Sequence, residues 1–438
     1  MSQSQTAFNQ VPPANVPSRF SLDNAATIYP AARTRNGNNT YRLAIVFKDE
    51  IKPEVLQQAV DDFYNRLPHY FVRLRTGAFW YYFERVKNSK VVEEESSYPC
   101  RPFDLFNSSK PCFRVLYYKC RLSFEIFHSI ADGGATLIFI RSLAAHYLRL
   151  LGHDIEMSDD LIDCNDPITQ LEFEDSFRKN AIKVKGVNRS ESTSYRYKAT
   201  QVPNYFKVLH GIVPIEDLKS QSKKYGVSIT EYLAGVLIYA FYVDAQKPLQ
   251  KPIKISVPIS LRNVFNSVSL RNFSSYTNIG FLPDSQKEYT LDDIFESIKG
   301  QLKSGIGKDL LLKSISKNVG DASNPFVRFM PNIIKTRVLN IGYNYFGENK
   351  FTIAMSNLGI VKMPESAMKY IDRFEVLLGE CPKKNLSVSL VSDGKLMNIS
   401  FTSKTKKTEI QRLFFTTLTK IGARVRVECN DKESWIKQ

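Results

Sequence analysis

The 438 residues, 43% hydrophobic and 24% charged, have the make-up of a soluble globular protein with ample material for a large core. The length fits two or three domains, or two large subdomains sharing an interface. A formal net charge of +16 suits nucleic acid, an anionic membrane face, a phosphorylated ligand, or simply a basic surface. The lysines are scattered apart from Lys404, Lys406 and Lys407, and no nucleic-acid-binding signature occurs, so nucleic acid is not the expected partner.

Residues 1–20, rich in Ser, Gln and Pro, read as a disordered leader. They lack the apolar segment of a signal peptide, and no run of roughly eighteen apolar residues follows, so a cytoplasmic protein without a transmembrane segment is expected. Ser21 to Pro30 mixes apolar and polar residues and suits a segment docked on the body. Tyr41–Phe47 reads as a strand, and Pro53 opens a helix that ends at Leu67-Pro68. Tyr70–Arg75 and Phe79–Val86 form a strand pair around Gly77, and Phe113–Tyr118 is a further strand. The polar stretch from about 158 to 205, including the Ser/Thr-rich run near Ser190, is a connection between two halves.

The second half opens with strand Tyr205–Val213 and a helix after Pro214. Ser228-Ile-Thr-Glu231 is a capping box ahead of an apolar helix, Tyr232–Val243. Ile253–Ile259 is a buried-type strand, Asn278–Leu282 a short one, and Leu291–Leu302 a helix. Ile315–Ile341 is helical with breaks near Pro325 and Pro331. Strands follow at Phe351–Met355, Phe374–Leu378, Leu386–Val391 and Leu396–Phe401, and Lys407–Val427 holds a last helix. The six cysteines (100, 112, 120, 164, 381 and 429) form no Cys-x-x-Cys pair and have no histidine at zinc spacing, so reduced thiols and no metal are expected.

The richest stretch is Leu122-Ser-Phe-Glu-Ile-Phe-His128-Ser-Ile-Ala-Asp132-Gly133-Gly134. Leu122, Phe124 and Ile126 alternate as a strand with one better-buried face, and His128 closes it. Gly133 and Gly134 suit a sharp bend, and an apolar-striped helix runs from Ala135 to Leu151. Two readings stand on the residues alone. His128 is a general base at a rigid strand end, or it is a satisfied strand-end residue with Asp132 as a helix N-cap. His69 reads as structural, His146, His153 and His210 have no partner close in sequence, and Trp80 with Tyr81 and Tyr82 reads as core.

His128-Ser-Ile-Ala-Asp132-Gly133 resembles the His-x-x-x-Asp-Gly signature of the coenzyme A-dependent acyltransferase superfamily. That superfamily includes chloramphenicol acetyltransferase, nonribosomal peptide condensation domains, plant BAHD acyltransferases and alcohol acetyltransferases. The alcohol acetyltransferase branch is resembled through Asn65-Arg66-Leu67-Pro68-His69-Tyr70-Phe71, Gly77-Ala78-Phe79-Trp80-Tyr81-Tyr82, Val257-Pro258-Ile259-Ser260-Leu261-Arg262, Leu270-Arg271-Asn272-Phe273 and Ser356-Asn357-Leu358-Gly359. An Asp-Phe-Gly-Trp-Gly segment is missing, which sets the chain apart from BAHD enzymes proper.

The resemblance implies an α/β fold of mixed sheets in two chloramphenicol-acetyltransferase-like subdomains, with the active-site tunnel at their interface. Residues 21–175 form the first, 176–204 the connection and 205–438 the second. It implies His128 as general base without a covalent acyl-enzyme, and Asp132 paired with an arginine and supported by Gly133. Arg262 is the candidate partner; otherwise it is a surface arginine after a strand. Ser356 or Asn357 would lie near the oxyanion, although Asn-Leu-Gly is also an ordinary turn. Acyl-coenzyme A, with acetyl-coenzyme A foremost, is the implied co-substrate, with no tightly bound cofactor, a small-molecule alcohol as acceptor and a monomer sufficient. An acyl carrier protein as donor and a non-catalytic binding relative are the alternatives.

Overall fold

The structure is a computed structural model that describes residues 16–33, 39–87, 89–106, 109–184, 191–203, 205–246, 248–342, 347–379 and 384–430. Residues 1–15 of the expected leader, Ser190 and Cys381 lie outside them.

The first half runs β1 (Arg19–Ser21), α1 (Ile28–Ala32), β2 (Thr40–Phe47), α2 (Pro53–Asp62), β3 (Val72–Thr76), β4 (Tyr81–Arg85), β5 (Val92–Glu94), β6 (Phe113–Tyr118), β7 (Arg121–Phe127), α3 (Gly133–Leu150) and α4 (Ser176–Asn180). The second runs β8 (Lys207–Pro214), α5 (Ile215–Lys224), α6 (Ile229–Ala245), β9 (Ile253–Ser260), α7 (Arg262–Phe265), β10 (Ser274–Phe281), α8 (Leu291–Ile298), α9 (Gln301–Gly305), α10 (Lys308–Ser323), α11 (Pro325–Phe329) and α12 (Asn332–Gly342). It finishes with β11 (Ile353–Ile360), α13 (Glu365–Met368), β12 (Ile371–Leu378), β13 (Leu386–Ser392), β14 (Leu396–Ser403), α14 (Glu409–Lys420) and β15 (Arg426–Cys429).

Among the described residues the strands form a five-stranded sheet (β12-β2-β7-β6-β5), a seven-stranded sheet (β10-β9-β11-β13-β14-β8-β15) and a small one (β1-β4-β3). The two large sheets are mixed, with β5–β6, β9–β11 and β11–β13 parallel. Each large sheet carries one long apolar helix. Phe139, Ile140, Leu143, Ala144 and Tyr147 of α3 fill the first core. The reciprocal cap between Ser228 and Glu231 starts α6, whose Tyr232 to Phe241 fill the second. Full burial of one such large apolar side chain stabilises the fold by about 1.5–3 kcal/mol. Among the described residues no single helix is long and apolar enough to cross a membrane.

The halves are stitched rather than merely apposed. β12 comes from the second half but pairs antiparallel with β2 of the first sheet, from Ile371↔Phe47 to Leu378↔Tyr41. Its outer contacts return to the second sheet: Ser389 Oγ donates to the Val376 carbonyl at 2.6 Å and Thr402 Oγ1 to the Leu378 carbonyl at 2.8 Å. The unit expected over 205–438 thus lends a strand to its neighbour.

Several local expectations need correction. Arg19 and Phe20, assigned to the leader, begin a strand that pairs with β4. The helix expected over Leu291–Leu302 divides at Gly300, which adopts a left-handed φ of 77° between α8 and α9. Ser356 to Gly359 continue β11 instead of turning; a register shift between Asn357 and Ile360 accommodates Gly359. Both faces of β7 are buried, because Glu125 on the polar face binds Arg42 and Arg114 at 2.6 Å.

Candidate active site

β7 and α3 deliver the His128 turn. The His128 backbone N–H donates to the Asn39 carbonyl at 3.0 Å, which fixes the strand end. Ser129 is fully buried and its hydroxyl donates to the Ala26 carbonyl at 3.0 Å, a structural use. Asp132 caps α3 by accepting the Ala135 N–H at 3.0 Å. The two glycines that follow are helical, so their value is space rather than an unusual bend. A Cβ on Gly133 would stand 3.0 Å from Leu358 Cδ2, and one on Gly134 would stand 3.3 Å from Arg262 Nη1.

The second half meets this turn through two buried carboxylates. Asp132 accepts Arg262 Nη1 at 2.9 Å and the Phe273 N–H at 2.7 Å. Arg262 also donates through Nε to the Ser269 carbonyl at 2.8 Å and through Nη2 to the Arg271 carbonyl. Burial alone would raise the Asp132 pKa, but Arg262 and the two backbone N–H donors outweigh it and hold the carboxyl below its ordinary value. Asp132 is therefore charged where it clasps the two halves.

The second carboxylate, Asp23, is fully buried between β1 and α1. Its Oδ1 accepts the Ala26 N–H at 2.7 Å and its Oδ2 accepts Asn272 Nδ2 at 3.1 Å. Asn272 Nδ2 also donates to the Ser129 carbonyl at 3.2 Å. With its amide nitrogen so occupied, Asn272 presents Oδ1 to His128 Nδ1 at 3.2 Å. An acceptor there requires the proton on Nδ1, which leaves the Nε2 lone pair unprotonated. The half-buried ring stacks on Tyr29 (centroids 4.4 Å apart, planes 20° apart) and leans on Tyr41 at 4.9 Å. Burial lowers the His128 pKa below 6.5, against opposing contributions from its own carbonyl, Asp132 and Asn272. The neutral imidazole, the form that accepts a proton, is thus favoured near neutral pH.

Of the expected site residues, the structure brings His128, Asp132, Gly133 and Arg262 together. Leu358 of β11 reaches the same turn, but its neighbour Asn357 is engaged elsewhere. Asn357 donates to Thr230 Oγ1 at 2.9 Å and accepts the Gly359 N–H at 2.8 Å. Ser356 sits half-buried on β11 opposite Ser389 of β13.

The other histidines have structural surroundings. His69 is buried, and desolvation with Arg271 and Arg66 nearby pushes its pKa down to about 3. His146 pairs with Asp62 at 2.7 Å, His153 stacks on Tyr370 at 4.0 Å, and His210 lies 2.9 Å from Ser400 Oγ. Burial pushes the Cys112 thiol up to about 12, away from nucleophilic use. Trp80 is half-buried rather than core, with the Lys335 ammonium 3.2 Å from its ring centroid.

Asp23, Tyr29 and Asn272 were not singled out from the sequence. The usable signals were an aspartate inside the apolar segment docked near the amino terminus and an asparagine in Leu270-Arg271-Asn272-Phe273.

No family model matches the chain, and no curated protein matches it. Solved structures match along nearly its whole length. TRI101 of F. sporotrichioides, complexed with coenzyme A and T-2, is 10% identical with a TM-score of 0.62, covering 93% of this chain and 99% of that one. The TRI3 trichothecene 15-O-acetyltransferase of Fusarium sporotrichioides is 10% identical with a TM-score of 0.57, covering 92% and 94%. The starter condensation domain of rhizomide synthetase RzmA, in complex with C8-CoA and Leu-SNAC, is 12% identical with a TM-score of 0.58, covering 92% and 94%. The fold is the mixed α/β arrangement of two chloramphenicol-acetyltransferase-like subdomains shared by acetyltransferases and condensation domains.

Proposed function

We propose that the chain is an acyltransferase of the alcohol acetyltransferase type, moving an acyl group, foremost acetyl, from acyl-coenzyme A to an alcohol hydroxyl. The observation that carries this reading is the His128 ring, with Nδ1 directed at Asn272 Oδ1 and Nε2 left as a base. The acceptor hydroxyl gives its proton to Nε2 as its oxygen bonds to the thioester carbonyl carbon. The tetrahedral intermediate collapses with cleavage of the C–S bond, and the imidazolium returns the proton to the departing thiolate. The products are an ester and free coenzyme A, with no covalent acyl-enzyme. Ser356 is the better candidate for an oxyanion donor, because Asn357 already spends its amide on Thr230 and Gly359. Structural likeness to TRI101 bound to coenzyme A and to an O-acetyltransferase supports the donor and the acceptor class.

Free-thiol release from acetyl-coenzyme A, measured with a panel of alcohols and amines, tests the reading. Acceptor-dependent release is expected for the wild type, with a loss of about 100-fold or more in a folded His128→Ala variant. A folded variant that keeps wild-type kcat would remove His128 from the role of base. Likeness to a condensation domain favours a second reading, a carrier-protein-bound donor. Activity with acylated carrier protein and none with acetyl-coenzyme A would select it.

A further inference from the structure

The helices α11 and α12 are built inside out. α12 turns its polar residues toward the body: the Asn332 N–H donates to the Ala78 carbonyl at 2.8 Å and Lys335 Nζ to the Phe79 carbonyl at 2.6 Å. Thr336 Oγ1 lies 3.0 Å from the Tyr81 hydroxyl, and Asn340 Nδ2 donates to the Ala31 carbonyl at 2.8 Å. The apolar face points outward, with Ile333 74% and Ile341 69% exposed and Ile334 and Val338 about half exposed. α11 continues the pattern with Phe326 86% and Phe329 67% exposed. Water does not favour such a face, and the polar contacts on the opposite side fix the orientation.

The charge of the same segment says what fits there. From 322 to 342 the sequence has no Asp or Glu, whereas Arg328 and Arg337 stand exposed among the apolar side chains. The chain as a whole carries +16. A second copy docked face to face would bring more cations to a segment without acids. An anionic bilayer instead receives the apolar side chains at its headgroup boundary and pairs its phosphates with the arginines.

We infer that the α11–α12 face is a peripheral membrane-docking surface for anionic lipid. Through Asn340 and Ala31 it rests on α1, whose Tyr29 stacks on His128, so a docked face lies one helix from the candidate site. The inference concerns binding alone and does not depend on the proposed reaction.

Flotation of the full chain with phosphatidylcholine vesicles, with and without roughly one-third phosphatidylserine, tests it. The wild type should bind the phosphatidylserine vesicles and be released by added salt. The triple variant Phe326→Ser, Phe329→Ser, Ile333→Asn should keep its thermal midpoint and lose binding by about tenfold or more. The double variant Arg328→Glu, Arg337→Glu should lose the preference for anionic over neutral vesicles. Wild-type protein that ignores both vesicles would overturn the inference, as would a triple variant that binds like wild type. So would light scattering that shows a dimer split by the triple variant, which would make the face a self-interface.

Discussion

Asp132 and Asp23 are both buried, both belong to the first half, and both receive the segment that leads from Arg262 to Phe273. Their pKa values nevertheless move in opposite directions. Asp132 has Arg262 Nη1 at 2.9 Å and two backbone N–H donors, and its pKa is lowered. Asp23 has Arg271 Nε at only 3.6 Å, and its pKa is raised to about 6. Burial is the leading contribution for both; the difference lies in whether a cation donates directly and in the Asp175 charge, which pushes Asp23 further up. Arg271 is held off by its own bonds, donating to the Ser21 carbonyl at 2.6 Å and the Phe173 carbonyl at 3.3 Å. A nearby guanidinium does not fully offset the burial of a carboxyl unless its donors point there. One carboxylate therefore serves as an ionic clasp, and the other holds the amide that orients His128.

Breaking the clasp should give the largest effect. Arg262→Ala strands the Asp132 carboxylate in the interface and should cost about 3–5 kcal/mol of stability, read by urea unfolding. Asp132→Asn should cost less, because an amide oxygen can still cap α3, and should lower activity as well as the melting temperature. A normal melting temperature with activity lost would move Asp132 from clasp to chemistry.

Asp23 offers a test with the opposite sign. Its folded pKa of about 6 lies above the ordinary value of 3.8, so the fold retains a proton that the unfolded chain releases. The associated stability is complete below the ordinary value and is lost as pH rises to about 6. The stability difference between wild type and Asp23→Asn should fall by about 2–3 kcal/mol from pH ~4 to pH ~7, followed by denaturant unfolding. A difference that stays constant over that window would show that Asp23 is already ionised in acid.

What the sequence disclosed follows the same division between local and distant contacts. The His128 turn was legible because strand, cap and helix are contiguous, and Arg262 entered through Pro258 to Arg262. The strand pattern at Phe374–Leu378 was legible too, although β12 starts earlier at Ile371, but not its membership of the first sheet. Alternation specifies which residues share a face and does not say which edge the strand will join. Asp23 and Asn272 escaped notice because they are 249 positions apart and acquire a role only on meeting. The helical breaks at Pro325 and Pro331 were readable. The outward face of α12 was not, since the spacing of Ile334, Val338 and Ile341 ordinarily signals a stripe facing the core.

The smallest expected effect is the most informative about the base. In Asn272→Ala the acceptor opposite His128 Nδ1 is gone, while the Arg262–Asp132 clasp is untouched. The ring then loses one of the contacts that keep the proton on Nδ1, and a fraction of the protein presents a protonated Nε2 that cannot accept. kcat should fall about tenfold, with KM for acyl-coenzyme A within about twofold of wild type. Because the Asn272 contact works to raise the His128 pKa, its loss should move the acid limb of the kcat/KM profile to lower pH. A packing defect would reduce the amount of folded enzyme and leave that limb in place. An unmoved limb with reduced kcat would therefore confine Asn272 to packing, and the orientation of His128 would have to come from its stacking on Tyr29.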